Sequence, residues 1–349
     1  MDHSARLRRL KDRLDGSCAV ITDPMDIYYF TGRYMEGMER LVALVVSEEP
    51  LLVVPSLHDG ETRDLGMERI VWHDGQDPFR MVAERVRGRP VLVQGKIPYS
   101  HVVRLGLRPE GLVDDIVSEM RSVKDSEELE AMSMAVSIAE RSFRDLLDHI
   151  QEGMTEADLA RYLEDRFRAN GADGPSFSTI VCFGENAANP HHRPGNRRLK
   201  RGECIVVDFG CRYRGYASDT TRTLYTGKPD DMFYSSYLAV MEAQSVGVSS
   251  VSPERTGSQV DSLTRNAIER YGLGRYFIHR TGHGIGLEVH EAPYLDSNNT
   301  QYLRPGNVVT VEPGVYVQDR FGIRIEDMVL VTERGQRDLN RLTHDLVLV

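Results

Sequence analysis

Apolar positions come in short runs over the first third of the chain. Runs at residues 19–21, 41–46, 51–54, 70–72 and 90–93 each have the length and composition of a strand. Between them lie segments with helical spacing, at 6–14 and most clearly at 78–87. Strands that alternate with helices predict an α/β domain with a mixed sheet over residues 1–118. From 120 to 149 the pattern changes. Leu129, Met132, Val136, Ala139, Phe143 and Leu146 trace one face of a long helix that opens a second domain, 119–349. Thr155 followed by Glu156 and Asp158 predicts a helix start, and Asn170-Gly171 its stop. Two further helices are predicted at 231–249 and 259–271.

The remaining segments alternate with period two, and they carry the chemistry. The run Cys204-Ile205-Val206-Val207-Asp208 is answered by Asp219-Thr220-Thr221-Arg222-Thr223, with glycines between that let the chain turn back. Val308 to Glu312 and Ile323 to Asp327 repeat the device, with Glu in place of Asp. Between the two copies lies Thr281-Gly282-His283-Gly284-Ile285-Gly286, then Val289-His290-Glu291. Carboxylates gathered on a buried sheet repel one another and cost several kcal/mol each to desolvate. Something positive must lie among them. Asp208, Asp219, Glu312, Glu326 and His283 together read as a dinuclear metal site, in which two divalent cations balance four carboxylates.

Charge and composition narrow the partners. Lys and Arg number 43 against 53 Asp and Glu, a net charge of −10, which opposes a nucleic-acid or anionic-membrane surface. No apolar run approaches the roughly 18 residues of a membrane span. Arg6, Arg8, Arg9 and Lys11 have no apolar run behind them, so no signal peptide is expected. Cys18, Cys182, Cys204 and Cys211 lie mostly in apolar strands, as buried reduced thiols of a cytoplasmic protein would. Rossmann and P-loop fingerprints are absent, and His58, His73 and His101 are isolated.

The motifs Val207-Asp208-Phe209-Gly210, Ser218-Asp219-Thr220-Thr221-Arg222, Gly282-His283-Gly284-Ile285-Gly286, Val289-His290-Glu291, Glu312-Pro313-Gly314 and Arg324-Ile325-Glu326-Asp327 occur in one order from about Pro190 to the end. In this the chain resembles the creatinase/methionine-aminopeptidase superfamily, most of all its prolidases and Xaa-Pro aminopeptidases. The resemblance implies an α+β pita-bread C-terminal domain with a curved, mainly antiparallel sheet, and a homodimer. It implies that Asp208, Asp219, His283, Glu312 and Glu326 hold two divalent ions per subunit, Asp219 and Glu326 being shared. Four oxygen donors and one nitrogen suit Mn²⁺ or Co²⁺ first and Zn²⁺ after them. His191, His290 and Glu312 take catalytic roles by the same resemblance, with Thr221 and Arg324 orienting the ligands. His192, His279 and Tyr294 are substrate-binding candidates. Tyr294 stands where several prolidases carry an Arg that reads the substrate carboxylate. Arg33 and Arg40, in the glycine-flanked loop 32–40, are candidates to replace it, with Arg193 behind them. The activity implied is hydrolysis of the Xaa-Pro bond in dipeptides. Its rivals are an aminopeptidase acting on longer peptides and a binding protein on the same fold.

Overall fold

The computed structural model describes residues 1–349 and divides into two compact units, Met1–Arg121 and Ser122–Val349. The first is an α/β unit around a mixed six-stranded sheet. Its order is Glu68–Trp72, Leu51–Pro55, Ala43–Val46, Cys18–Ile21, Val91–Val93 and Gly111–Leu112. Cys18–Ile21 runs antiparallel to Ala43–Val46 and parallel to Val91–Val93. Both faces are covered, so the inner strands read as unbroken apolar runs. Helix His3–Arg13 spans most of the predicted 6–14 segment.

The second unit begins differently from the sequence reading. The helix expected over 120–149 is two helices, Asp114–Ser122 and Ser126–Leu147. Asp125 separates them by capping the second. Its side chain accepts from the Glu128 amide at 2.9 Å, while the Glu128 carboxylate accepts from the Asp125 amide at 2.8 Å. The Lys124 amide donates instead to the Gly306 carbonyl. Helix Gly257–Glu269 likewise starts earlier than predicted, because Thr256 and Gln259 form its capping box.

Both predicted hairpins are present, and each has two storeys. Cys204–Phe209 pairs with Thr220–Tyr225, after which Cys211–Tyr213 and Tyr216–Ala217 form a separate tip. Val308–Val311 pairs with Asp327–Thr332, and Gly314–Val317 with Phe321–Arg324 forms the second tip. Asp208 and Asp219 flank the break in the first hairpin, and Glu312 and Glu326 lie in the break of the second. The hairpin bases belong to four- and five-stranded sheets, joined by a bridge in which the Glu326 amide donates to the Thr221 carbonyl at 3.1 Å. The result is the curved, mainly antiparallel sheet of a pita-bread domain. Ile205, Val207 and Phe209 face the helices Ser126–Leu147 and Glu156–Ala169. Cys204, Val206 and Asp208, on the alternate face, look the other way.

Arg222 fastens the hairpins together from within. Its guanidinium donates to Asp327 Oδ1 at 2.7 Å and to the carbonyls of Glu326, Leu342 and Thr343. Both members of the pair are buried. Replacing Arg222 with Met would strand a buried carboxylate, so we expect a loss of about 3–5 kcal/mol in urea denaturation. The Arg222→Met/Asp327→Leu double variant should regain part of it. An unchanged midpoint in the single variant would show that the pair contributes nothing.

Candidate metal centre

Three short elements deliver the histidine. Strand Gly282–Gly284 lies between Glu291–Leu295 and Val308–Val311, close to both. A Cβ at Gly282 would stand 1.9 Å from the Thr310 carbonyl oxygen, and one at Gly284 2.3 Å from that of Ala292. The glycines on either side of His283 are therefore needed for close approach. His283 is buried, and its Nδ1 lies 3.1 Å from the Gly284 carbonyl, to which it donates. That orients the ring so that Nε2 faces the acidic cluster.

Around that nitrogen the hairpin carboxylates converge. Glu312 Oε1 lies 3.3 Å from His283 Nε2, and Asp219 Oδ2 3.8 Å from it. Asp219, His283 and Glu326 offer ligand atoms within 4.8 Å of one another. Asp208 and Thr221 are cross-strand partners and so share a face. The Thr221 hydroxyl donates to Glu326 at 2.6 Å. Arg324 is the buried cation of the site. It donates from Nη2 to Asp208 at 2.6 Å, from Nε to the Thr221 hydroxyl and from Nη1 to the Tyr316 hydroxyl.

One arginine does not neutralise four carboxylates. Burial pushes Asp208, Asp219 and Glu326 above the ordinary carboxylate range, Asp219 and Glu326 far above it. Neighbouring acids push them further. Burial also acts against Glu312, yet its hydrogen bond and charge interaction with His283 bring it down to about 2. The Asp208 Oδ1 atom is buried without a hydrogen-bond partner. Unspent lone pairs and surplus negative charge are what hard divalent ions require, so the donor set fits them. A second cluster, Asp327, Asp338 and His344, does not fit. Both Asp327 oxygens are already taken, by Arg222, by Gln244 and by His344 Nε2, which donates at 2.5 Å.

The five donors line a cavity of about 430 Å³ together with His191, His279, His290, Arg280 and Arg324. The ring of His290 meets His283 edge-on at 4.2 Å. Burial, then the charge of His283, pushes His290 down to about 4. His279 is fixed by its neighbours. Its Nδ1 donates to the Arg280 carbonyl, so its Nε2 accepts from the Tyr316 hydroxyl at 2.9 Å. His192 turns away from the cavity. Its Nε2 lies 2.9 Å from the buried carboxylate of Glu156, which also accepts from the amides of Phe183 and Gly195. Arg33 is paired with Asp64, and Arg40 with Asp74 and Glu39. Arg193 and Tyr294 do not line the cavity. Sequence reasoning missed Arg280, which has no periodic signal and precedes the glycine motif by a single residue, Thr281.

Residues 130–333 match the model for metallopeptidase family M24, and residues 4–110 that for the creatinase/prolidase N-terminal domain. The chain belongs to metallopeptidase family M24. Within the family it is 37% identical over 344 residues to a probable dipeptidase PepE of Mycobacterium tuberculosis, covering 95% of this chain and 91% of that one. It is 33% identical to the Xaa-Pro dipeptidase of Pyrococcus furiosus, covering 94% of each. The crystal structure of a prolidase from Thermococcus sibiricus superposes with a TM-score of 0.94, at 32% identity and complete coverage of both chains.

The charge surplus of this M24 site yields a stability test. Asp219→Asn removes one buried charge from the cluster, so the chelator-treated variant should melt several degrees above chelator-treated wild type. With metal restored the order should reverse, because wild type gains more binding energy. Equal melting temperatures after chelation would mean that the carboxylates do not strain the fold.

Proposed function

We propose that the protein is a dinuclear metallopeptidase that cleaves the Xaa-Pro bond of dipeptides. The observation that carries the reading is the convergence of four carboxylates and one imidazole in a single cavity. Similarity over almost the whole chain to dipeptidases and prolidases supports the choice of substrate. Asp208, Asp219, His283, Glu312 and Glu326 would together hold the two ions. Mn²⁺ or Co²⁺ is the pair of metals that the oxygen-rich donor set favours. Ions held there supply an activated water at neutral pH and polarise the scissile carbonyl.

The chain's own residues account for the rest. The leaving proline nitrogen must gain a proton as the amide breaks. Glu312, at the cavity wall beside His283, is the carboxylate assigned to carry it. His290, neutral at pH 7, donates a hydrogen bond to the oxygen that becomes negative, and His191, which lines the same cavity, does so as well. Arg324 and Thr221 hold Asp208 and Glu326 in place through the hydrogen bonds described above. No helix is long and apolar enough to cross a membrane. Four buried, unpaired cysteines support a reducing cytoplasmic setting. We retain the homodimer as part of the reading, to be measured by sedimentation.

Two measurements test the assignment. Metal analysis should find two ions per chain, and Asp219→Ala or Glu326→Ala should abolish turnover of Ala-Pro. Full activity after complete chelation would sink the mechanism. Separately, His191→Ala and His290→Ala should each lower kcat and kcat/KM together, by roughly 10²–10³-fold, with metal content intact. A rise in KM alone would move these histidines to ground-state binding.

A further inference from the structure

A buried carboxylate outside the metal centre ties down the loop that carries His191. Glu156 is the first residue of helix Glu156–Ala169, just after the cap Thr155, and its side chain has no exposed surface. A helix start favours negative charge, but a buried carboxylate needs hydrogen-bond partners as well. Four are present. Oε1 accepts from the Phe183 amide and from Asn186 Nδ2, both at 2.9 Å. Oε2 accepts from the Gly195 amide at 3.1 Å and lies 2.9 Å from His192 Nε2.

These partners bracket a loop. Phe183 ends the strand Ile180–Phe183, Asn186 lies in the turn Gly184–Ala188 that follows, and Gly195 marks the way out. Backbone bonds hold the exit too, from the Glu156 amide to the Arg197 carbonyl and from the Ala157 amide to that of Gly195. His191 sits inside the loop. It is exposed, it lines the cavity next to Pro190, and its imidazole makes no hydrogen bond. Only its backbone is held. The His191 amide donates to Asn189 Oδ1 at 3.1 Å, and the His192 amide donates to the Asn189 carbonyl. A side chain with no partner of its own goes where its backbone delivers it. The His192 ring is the nearest tie in sequence from that backbone to the helix, one residue on, about 3.8 Å along the chain.

We propose that His192, held by Glu156, is a positioning residue that keeps His191 over the metal cavity, a role that rests on the reading of His191 as a donor to the developing negative oxygen in Xaa-Pro cleavage. Burial of Glu156 does not by itself require the histidine. Without it Oε2 would still accept from Gly195 and Oε1 from Phe183 and Asn186, and the helix start would remain. What the ring adds is a fixed point beside His191. A donor that must meet charge as it forms tolerates little error in placement, since a shift of about 1 Å can cost about 10²-fold in rate. One histidine faces the cavity, and its neighbour faces the scaffold.

The test compares kcat, KM and metal content, with Ala-Pro as substrate, in wild type, His192→Asn, His192→Gln, His191→Ala and the His191→Ala/His192→Asn double variant, each loaded with Mn²⁺. The two amides differ in reach, and only Gln is long enough to put an N–H where His192 Nε2 stands. His192→Asn should lower kcat and kcat/KM together by about 10- to 100-fold, with metal content intact. His192→Gln should recover most of that loss. In the His191→Ala background, His192→Asn should cost less than about 2-fold, because no imidazole is left to misplace. Equal losses in both backgrounds, no loss in His192→Asn, or a Gln variant as poor as Asn would each overturn the positioning role. Loss of fold or of metal in His192→Asn would do the same, by making the contact structural. In all of these the dipeptidase reading stands. If metal-loaded wild type does not cleave Ala-Pro, that reading falls and this role with it.

Discussion

Four carboxylates buried in one cavity with a single arginine among them set the terms for the rest of the domain. Such a cluster is tolerable only if every other polar group near it is spoken for. Arg324 distributes its guanidinium over Asp208, Thr221 and Tyr316, and the Tyr316 hydroxyl in turn donates a hydrogen bond to His279. Arg222 does the corresponding work behind the cluster, holding Asp327 and the Glu326 carbonyl. Asp327 stays charged, despite burial, because Arg222 and His344 face it. The two successive acids at 326 and 327 therefore have opposite fates. Adjacent strand residues point to opposite faces, one to the cavity and one to the arginine. The negative charge left over at Asp219 and Glu326 is the part the fold does not cancel, and it is reserved for metal.

The hairpin breaks explain how this geometry is reached. A regular hairpin would put its acids in a plane along one face. Breaking each hairpin between base and tip turns the strand ends inward, so that carboxylates from four strands meet one histidine. The same interruption occurs at Gly210 and at Pro313, between elements that are otherwise equivalent in order. Duplication of a strand–break–strand unit thus yields two half-sites, and the Thr221–Glu326 bridge closes them into one.

Much of this was legible in the residues, and the exceptions are physical ones. Period-two alternation revealed the hairpins, and the carboxylates at their ends marked the site before any fold was known. The breaks at Gly210 and Pro313 are not visible in the alternation, because a short apolar run looks the same whether or not the strand is interrupted at its end. The helix expected over 120–149 is interrupted because Asp125 and Glu128 cap a new start, ahead of an apolar face that begins only at Leu129. His191 and His192 are chemically identical neighbours in a loop. Only Glu156, contributed by a distant helix, pulls one of them away from the cavity. Arg280 was invisible for a related reason. An exposed arginine in a loop looks like any solvated charge until the strand register sets Tyr294 beside His283 and the ring beneath the guanidinium.

The placement of His290 shows how far the site depends on contacts that never touch substrate. Glu291 follows it and points inward, where Lys124 Nζ donates to its Oε1 at 2.7 Å with both side chains buried. Gly286 permits that approach, since a Cβ there would stand 2.5 Å from the same oxygen. His290 immediately precedes the strand Glu291–Leu295 and lines the cavity, so what fixes Glu291 also fixes where the chain delivers His290. His290 is therefore aimed by an ion pair on its neighbour. That pair begins at Lys124, in the break between the helices Asp114–Ser122 and Ser126–Leu147. Had one helix run unbroken over 120–149, the Lys124 amide would have been used within it. Instead that amide donates to Gly306, the side chain reaches Glu291, and the interruption in the helix becomes part of what orients the histidine.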